Sequence, residues 1–264
     1  MKINKSIAKL SLKSSLYNRS SIFILLLQSI IPVLVMFYLW SGILNGNREI
    51  GGLTNSQMIT YYVGVNFINF FIWYAIDWEL NNDIHSGKVS NILHRPITIQ
   101  RYYFNKMIGD RIANIIVLLP IFIVGVIYLI LVRQTNINLI SGILFIISLT
   151  FTAVLWFLFS FIIGCLAFWF ENLFFVLLVK DVLISLLAGY YFPLSILPDF
   201  WKKVVNLLPF KYFGNYPVNI ILENQPINNW IENTIIELGW MFVLYIVLLV
   251  VIKKGLKRYA DIMG

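Results

Sequence analysis

Runs of twenty or so residues with hardly a charge recur along this chain, and no feature restricts its folding more. About 20 apolar residues in helical form cross the hydrocarbon core of a bilayer. Inside lipid every backbone donor and acceptor must find its partner within the protein, so such runs fold as helices. Candidate spans lie at 22–44, 58–77, 111–132, 139–169, 173–192 and 234–252. The predicted fold class is an all-α integral membrane protein with six transmembrane helices, forming one transmembrane domain over 1–264. Composition agrees: 12% of residues are charged, where a soluble domain carries about a quarter. Lysines precede the first apolar run as they do in a signal peptide, but 22–44 is long and lacks a small-residue cleavage site, so it reads as an uncleaved span. Pro32 and Pro120 fall within spans, where a missing backbone donor favours a kink. The lone cysteine, Cys165, lies in an apolar run and leaves no internal disulfide.

Orientation follows from lysine and arginine. The first twenty residues, the 78–111 segment and the tail after 252 hold fourteen of the twenty basic residues. The opposite connections hold Arg48, Arg133, Lys202, Lys203 and Lys211. Both termini are therefore expected on the cytoplasmic side. The net charge of +8 follows this layout and gives no reason to expect nucleic acid as a partner.

The opening residues place Ile3, Ile7, Leu10 and Tyr17 on one helical face and Lys5, Lys9 and Lys13 on another, with Leu12 and Leu16 falling on the lysine side. That is the pattern of a helix lying at the membrane interface; the alternative is a basic tail that only sets orientation. Between spans two and three, the 78–110 segment carries Ile84, Val89, Ile92 and Leu93 at spacings that suit a short helix with one adhesive face, ended by Arg95-Pro96. A cytoplasmic helix of that kind suits a soluble partner, or the headgroup surface. The stretch "SGKVS" resembles the end of a phosphate-binding loop, but Asn82 and Val89 stand where the pattern needs glycine and a hydroxyl residue. No nucleotide site is read in this chain, which is expected not to be an enzyme. His85 and His94 lack the further ligands of a metal site and read as surface residues.

Charges inside spans are expensive and mark pathways, partners or buried pairs. Lys180 and Asp181 interrupt the fifth run; they either line a pathway or meet a second subunit, or Lys180 snorkels to the interface while Asp181 bonds a neighbouring helix. Asn66, Asn69 and Trp73, spaced i, i+3, i+7, share one face of the second span. They line a substrate path, or the amides bond between helices. After the fifth run, three prolines (Pro193, Pro198 and Pro209) punctuate residues 189–212. Broken backbone cannot face lipid, so 193–230 is expected to form a helical cap at the outer face.

Here the chain resembles a family. Phe192-Pro193-x-Ser195-x-Leu197-Pro198, Leu208-Pro209-Phe210-x-Tyr212 and Tyr216-Pro217 are similar to the signature of ABC-2 type permeases, in particular bacterial six-span permeases of about this length. "SGKVSNILHRP", with Gly87, Leu93 and Pro96, and the Gly255-Leu256-x-Arg258-Tyr259 tail agree; Asp261-Ile262-Met263 departs from the more glycine-rich ending usual there. The resemblance implies the membrane half of an ATP-driven exporter in the bacterial cytoplasmic membrane. It would dimerise with itself or a related permease, bind two ABC ATPase subunits, sit among membrane lipids and export an unknown substrate. No cofactor is implied in this chain; ATP and Mg belong to the partner ATPase. The 84–95 helix, with Ile84, Gly87, Val89, Ile92, Leu93 and Arg95, would couple to the ATPase, and the first helix would be the connecting helix. Asn66, Asn69, Trp73, Lys180 and Asp181 would line the pathway. Phe192, Pro193, Leu197, Pro198, Pro209 and Tyr212 would form the outer gate. The 16% of aromatic residues suit drug-like cations through cation–π contacts, or equally lipid-facing belts. The rivals are a secondary transporter, for which the halves show no repeat, a membrane enzyme, and a toxin-binding immunity or scaffold protein.

Overall fold

A computed structural model describes residues 2–17, 19–43, 49–133, 138–222 and 225–263. All regular elements among them are helical, apart from one isolated bridge between Ile50 and Leu53. Arg48, counted above among the outer basic residues, lies outside the described residues.

Helix α1 (Lys2–Tyr17) is followed by α2 (Arg19–Ile43). Then come α3 (Asn55–Ile72), α4 (Ile76–His85) and α5 (Lys88–Leu93). Two long helices follow, α6 (Ile99–Arg133) and α7 (Leu139–Cys165), the latter prolonged by a 3-10 turn over Leu166–Phe168. After α8 (Phe174–Leu187), short elements alternate: a 3-10 turn at Leu194–Ile196, α9 (Asp199–Leu207), a 3-10 turn at Pro209–Phe213 and α10 (Asn215–Leu222). The chain closes with α11 (Ile227–Met263).

Local chemistry explains several starts. Thr54 caps α3 in a capping box, its hydroxyl taking the Gln57 amide while the Gln57 side chain takes that of Thr54. Asn138 caps α7 through the Ile140 amide at 3.2 Å. Pro32 and Pro120 sit inside continuous helices. The real interruption comes where no proline or glycine stands, at Trp73-Tyr74-Ala75 between α3 and α4.

Among the described residues, five helical stretches are long and apolar enough to cross a membrane: 22–43, 55–85, 99–124, 139–168 and 227–261. The expected six-span layout is matched at five stretches, and two of its bounds differ in the structure. The second stretch breaks at 73–75 and runs on through α4 to His85. The fifth, expected over 173–192, contains only the 14 residues of α8, about 21 Å of helix against a core of about 30 Å. Its apolar run ends in the turn that Gly189 makes with a φ of +86°. The 78–110 segment, expected to carry one short helix, holds the end of α4, all of α5 and the start of α6 at Ile99.

Helix α7 is the central post, packed on α3, α4, α10 and α11, while α1 lies along α6. The α1–α6 contact is close because Gly109 has no side chain to meet the Ala8 carbonyl, and Ser11 and Ser15 both donate to Asp110, at 2.7 and 2.5 Å. Ile7 and Ser11 pack inward, whereas Leu10 and Tyr17 face away from the protein and Lys5, Lys9 and Lys13 are exposed. The apolar face read from the sequence thus divides between the protein and its surroundings. Two buried clusters fill the molecule. One, around Tyr61, Trp156, Tyr212 and Phe213, lies between α3, α7 and the short elements before α11. The other, around Ile76, Leu80, Tyr103 and Phe161, joins α4, α5 and the first turns of α6 to α7 and the end of α11.

Candidate functional site

The interruption between α3 and α4 organises the polar interior. A break at membrane depth frees carbonyls that lipid cannot satisfy. Arg111 of α6 reaches across and donates to the Phe70 carbonyl at 3.0 Å and to that of Trp73. The Trp156 indole of α7 donates to the Tyr74 carbonyl at 3.1 Å. Arg111 also lies over the Tyr74 ring, 5.4 Å from its centre.

Immediately after the break, Asp77 enters the first turn of α4, where a carboxylate suits the helix dipole. It accepts the Trp78 amide at 3.0 Å and is wholly buried. Lys180 of α8 donates to it; the same ammonium stands 2.6 Å from Asp181, whose other oxygen takes the Trp78 indole at 3.2 Å. The ammonium lies 5.6 Å from both the Trp73 and Trp156 ring centres. Lys180 is 7% exposed, so it does not snorkel. Gly164 of α7 makes room: a Cβ there would fall 2.9 Å from the Asp77 Cα.

Asn66, Asn69 and Trp73 do share a face, and it lines a cavity of about 620 Å³ between α2, α3, α6 and the end of α8. Gln28, Asn114 and Ser185 add polar groups, and Arg111 is the one charged side chain among the described lining residues. Asn66 also donates to the Ser29 carbonyl at 2.8 Å, joining α3 to α2. Lys180 and Asp181, grouped with these residues from the sequence, do not line this cavity. Lys180 borders a separate apolar recess of about 430 Å³ with Phe159, Val179 and Phe210.

In the 84–95 segment the expected single helix is two, turned at Gly87 with a φ of +73°. Its apolar residues divide. Ile84, Val89 and Ile92 are buried in the chain's own inner cluster, whereas Leu93 is 42% exposed. They are therefore not a free adhesive face. Gly87 is half-buried, and Arg95 is exposed and stands over Tyr102. His85 and His94 are both exposed. Two bonds fix the segment from either side: Tyr103 donates to Asp83 at 2.7 Å, and the Ser90 and Tyr259 hydroxyls meet at 3.0 Å, bringing the end of α11 onto α5.

In the segment expected to form the cap, Pro193, Pro209 and Tyr212 are buried, Phe192 and Leu197 half-buried, and Pro198 exposed. Tyrosine hydroxyls hold these elements by their main chain. Tyr61 donates to the Gly189 carbonyl at 2.8 Å, Tyr62 to that of Tyr191 at 2.6 Å, Tyr190 to that of Phe213 at 2.8 Å and Tyr212 to that of Asn233 at 3.1 Å. Helix α9 buries Val205 and leaves Phe200, Trp201 and Leu207 exposed. Lys211 donates to Asn233 at 3.0 Å, and burial lowers its pKa. Burial raises the Tyr212 and Tyr216 phenols well above their ordinary value.

Sequence reasoning missed several of these residues. Asp77 closes the 58–77 run, four residues after Trp73 on the face carrying Asn66 and Asn69, and that spacing is the signal that could have found it. Arg111 was counted as a loop charge. Glu237 stands within the 234–252 run and was passed over; it is fully buried and accepts from Thr152 at 3.0 Å, joining α11 to α7.

A sequence profile described as ABC-2 family transporter protein matches residues 30–261. No curated protein matches the chain.

Proposed function

The chain belongs to the ABC-2 family of transporter proteins, and from that premise we propose that it is the permease subunit of an ATP-driven exporter. The family and the apolar helices make it a multi-pass membrane protein with a transport role. In the proposal it works as a dimer, with itself or a related permease. The dimer sits in the bacterial cytoplasmic membrane with both termini inside, as the basic residues at the two ends and around α5 favour. Two separate ATPase subunits bind ATP and Mg.

One observation carries the coupling part of this reading. Leu93 is an exposed apolar side chain at the end of α5, a short helix whose other apolar residues, Val89 and Ile92, are buried in its own chain. It is flanked by exposed Lys88, Asn91, His94 and Arg95. A leucine presented on so firmly held a helix suits insertion into a groove on a soluble partner. The buried contacts of Ile84, Val89 and Ile92 then serve to transmit force: α4, α5 and the start of α6 share one core and move as one body. ATP binding closes the ATPases, displaces that body, and shifts the protein between two packed arrangements. The shift is driven by the difference in ATP affinity between them. The cavity bearing Asn66, Asn69 and Trp73 is the start of the pathway, and residues 192–212 cover its outer end.

The test is a pull-down of the chain in mild detergent with mass spectrometry of what co-purifies. A stoichiometric soluble ATPase supports the proposal and reveals the dimer type. Recovery of the chain alone, under conditions that preserve comparable complexes, overturns it in favour of a secondary transporter or a binding-only protein.

A further inference from the structure

We propose that Asp77 is a positioning residue for export, holding α8 to the coupling body through its ion pair with Lys180 and releasing it when that body moves. The proposal rests on the permease reading.

Helix α8 is held lightly. Only Leu177, Lys180 and Ile184 are buried, at i, i+3 and i+7, while Phe175, Val179, Val182 and Leu183 are exposed. Its centre is tied to α4 by two polar contacts, Lys180 to Asp77 and the Trp78 indole to Asp181. Both partners lie at the start of α4, within the body that carries α5. At its other end α8 leads through Gly189 into the cap that Tyr61 and Tyr62 hold by its main chain. A displacement of α4 therefore reaches α8 and the cap through Lys180 and Trp78, together with Leu177 in the shared apolar cluster.

Lys180 has two carboxylates within contact, and they belong to different elements. Asp77 is fully buried on α4; the Asp181 side chain is 24% exposed and rides on α8 itself. An ammonium stripped of all partners in an apolar interior is strongly disfavoured. With Asp181 beside it, Lys180 can lose Asp77 and keep a counter-charge. That gives the contact two discrete arrangements, which a transmission element requires. The Trp73 and Trp156 rings flank the ammonium. Trp73 also forms part of the cavity wall, so release of Lys180 from α4 alters the wall of the proposed pathway.

The experiment uses the permease–ATPase complex in lipid nanodiscs. The native Cys165 is fully buried, so a reporter Ser185→Cys on the cavity wall can be read by its maleimide labelling rate, with and without ATP, Mg and vanadate. The parent is expected to show a change of about tenfold or more on nucleotide trapping. Asp77→Asn is expected to cut that response to under about twofold while the ATPase stays bound, and Asp77→Glu to restore most of it. Should Asp77→Asn fail to fold, Asp77→Asn with Lys180→Met removes both charges of the pair; it is expected to fold and to lack the response. A parent-like response in either variant overturns the proposal, as does an Asp77→Glu variant that folds, binds ATPase and stays unresponsive. A parent that retains no ATPase defeats the permease reading itself, and the positioning role falls with it.

Discussion

Two neighbouring side chains on α5 should answer differently to the same substitution. Ile92 is 5% exposed and packs in the inner cluster; Leu93 is 42% exposed. Ile92→Asp gives up about 1.5–3 kcal/mol of apolar burial. It also leaves a carboxyl without a partner in that cluster, at a further cost of at least about 1–3 kcal/mol. A total of about 4 kcal/mol lies in the range reserved for severe core lesions. Leu93→Asp should change stability by no more than about 0.5 kcal/mol. If Leu93 is the anchor in a partner's groove, the same change should weaken association by about 2 kcal/mol, roughly thirtyfold in Kd. Unfolding followed by tryptophan fluorescence in detergent measures the first quantity, and titration of the purified ATPase against immobilised permease measures the second. Ile92→Asp with parental stability would refute the burial argument. Leu93→Asp with parental ATPase affinity would remove α5 as the docking element.

Arg111→Gln takes the charged donor from two carbonyls at the helix break and should cost about 2–3 kcal/mol in an unfolding assay; Arg111→Lys, a point donor, should recover less than half of it. Tyr61→Phe leaves the buried Gly189 carbonyl without its hydroxyl partner and should cost about 1–2 kcal/mol; limited proteolysis after 189 should accelerate with it. In alkali the cap contains opposing titrations. Lys211, its pKa lowered from 10.5 by burial, makes stability rise as the pH climbs toward that ordinary value. Tyr212 and Tyr216, raised by burial, make it fall beyond about pH 10, where unfolded phenols ionise and folded ones do not. Melting temperature against pH, for the parent and for Lys211→Met, should show a steeper rise toward that value in the parent.

What could be read beforehand was local. Apolar runs and the face shared by Asn66, Asn69 and Trp73 follow from helical spacing, and both appear in the structure. The break at 73–75 was illegible because its cause is distant. Trp73-Tyr74-Ala75 contains no proline or glycine, and the groups that satisfy its carbonyls, Arg111 and Trp156, lie 38 and 82 residues away from their acceptors. Hydropathy likewise sees that 173–192 is greasy but not that the chain turns at Gly189. The Ile84, Val89 and Ile92 pattern announces an adhesive face without saying what it adheres to; here Tyr103, Phe161 and Phe168, all distant in sequence, claim it. Glu237 needed no long-range knowledge, since an acid within an apolar run is a signal in itself.

The tyrosine hydroxyls at the outer end grip carbonyls of the main chain, which every residue type possesses. Substitutions at the gripped positions leave those anchors in place so long as the backbone path survives. The fold thus separates what must be inherited from what is free to drift. A handful of phenols on α3 and in the 189–222 region fix the path of that main chain, while exposed side chains such as Phe200, Trp201 and Leu207 can be exchanged one at a time. The chemistry of that surface can therefore change by single substitutions without rebuilding the scaffold beneath.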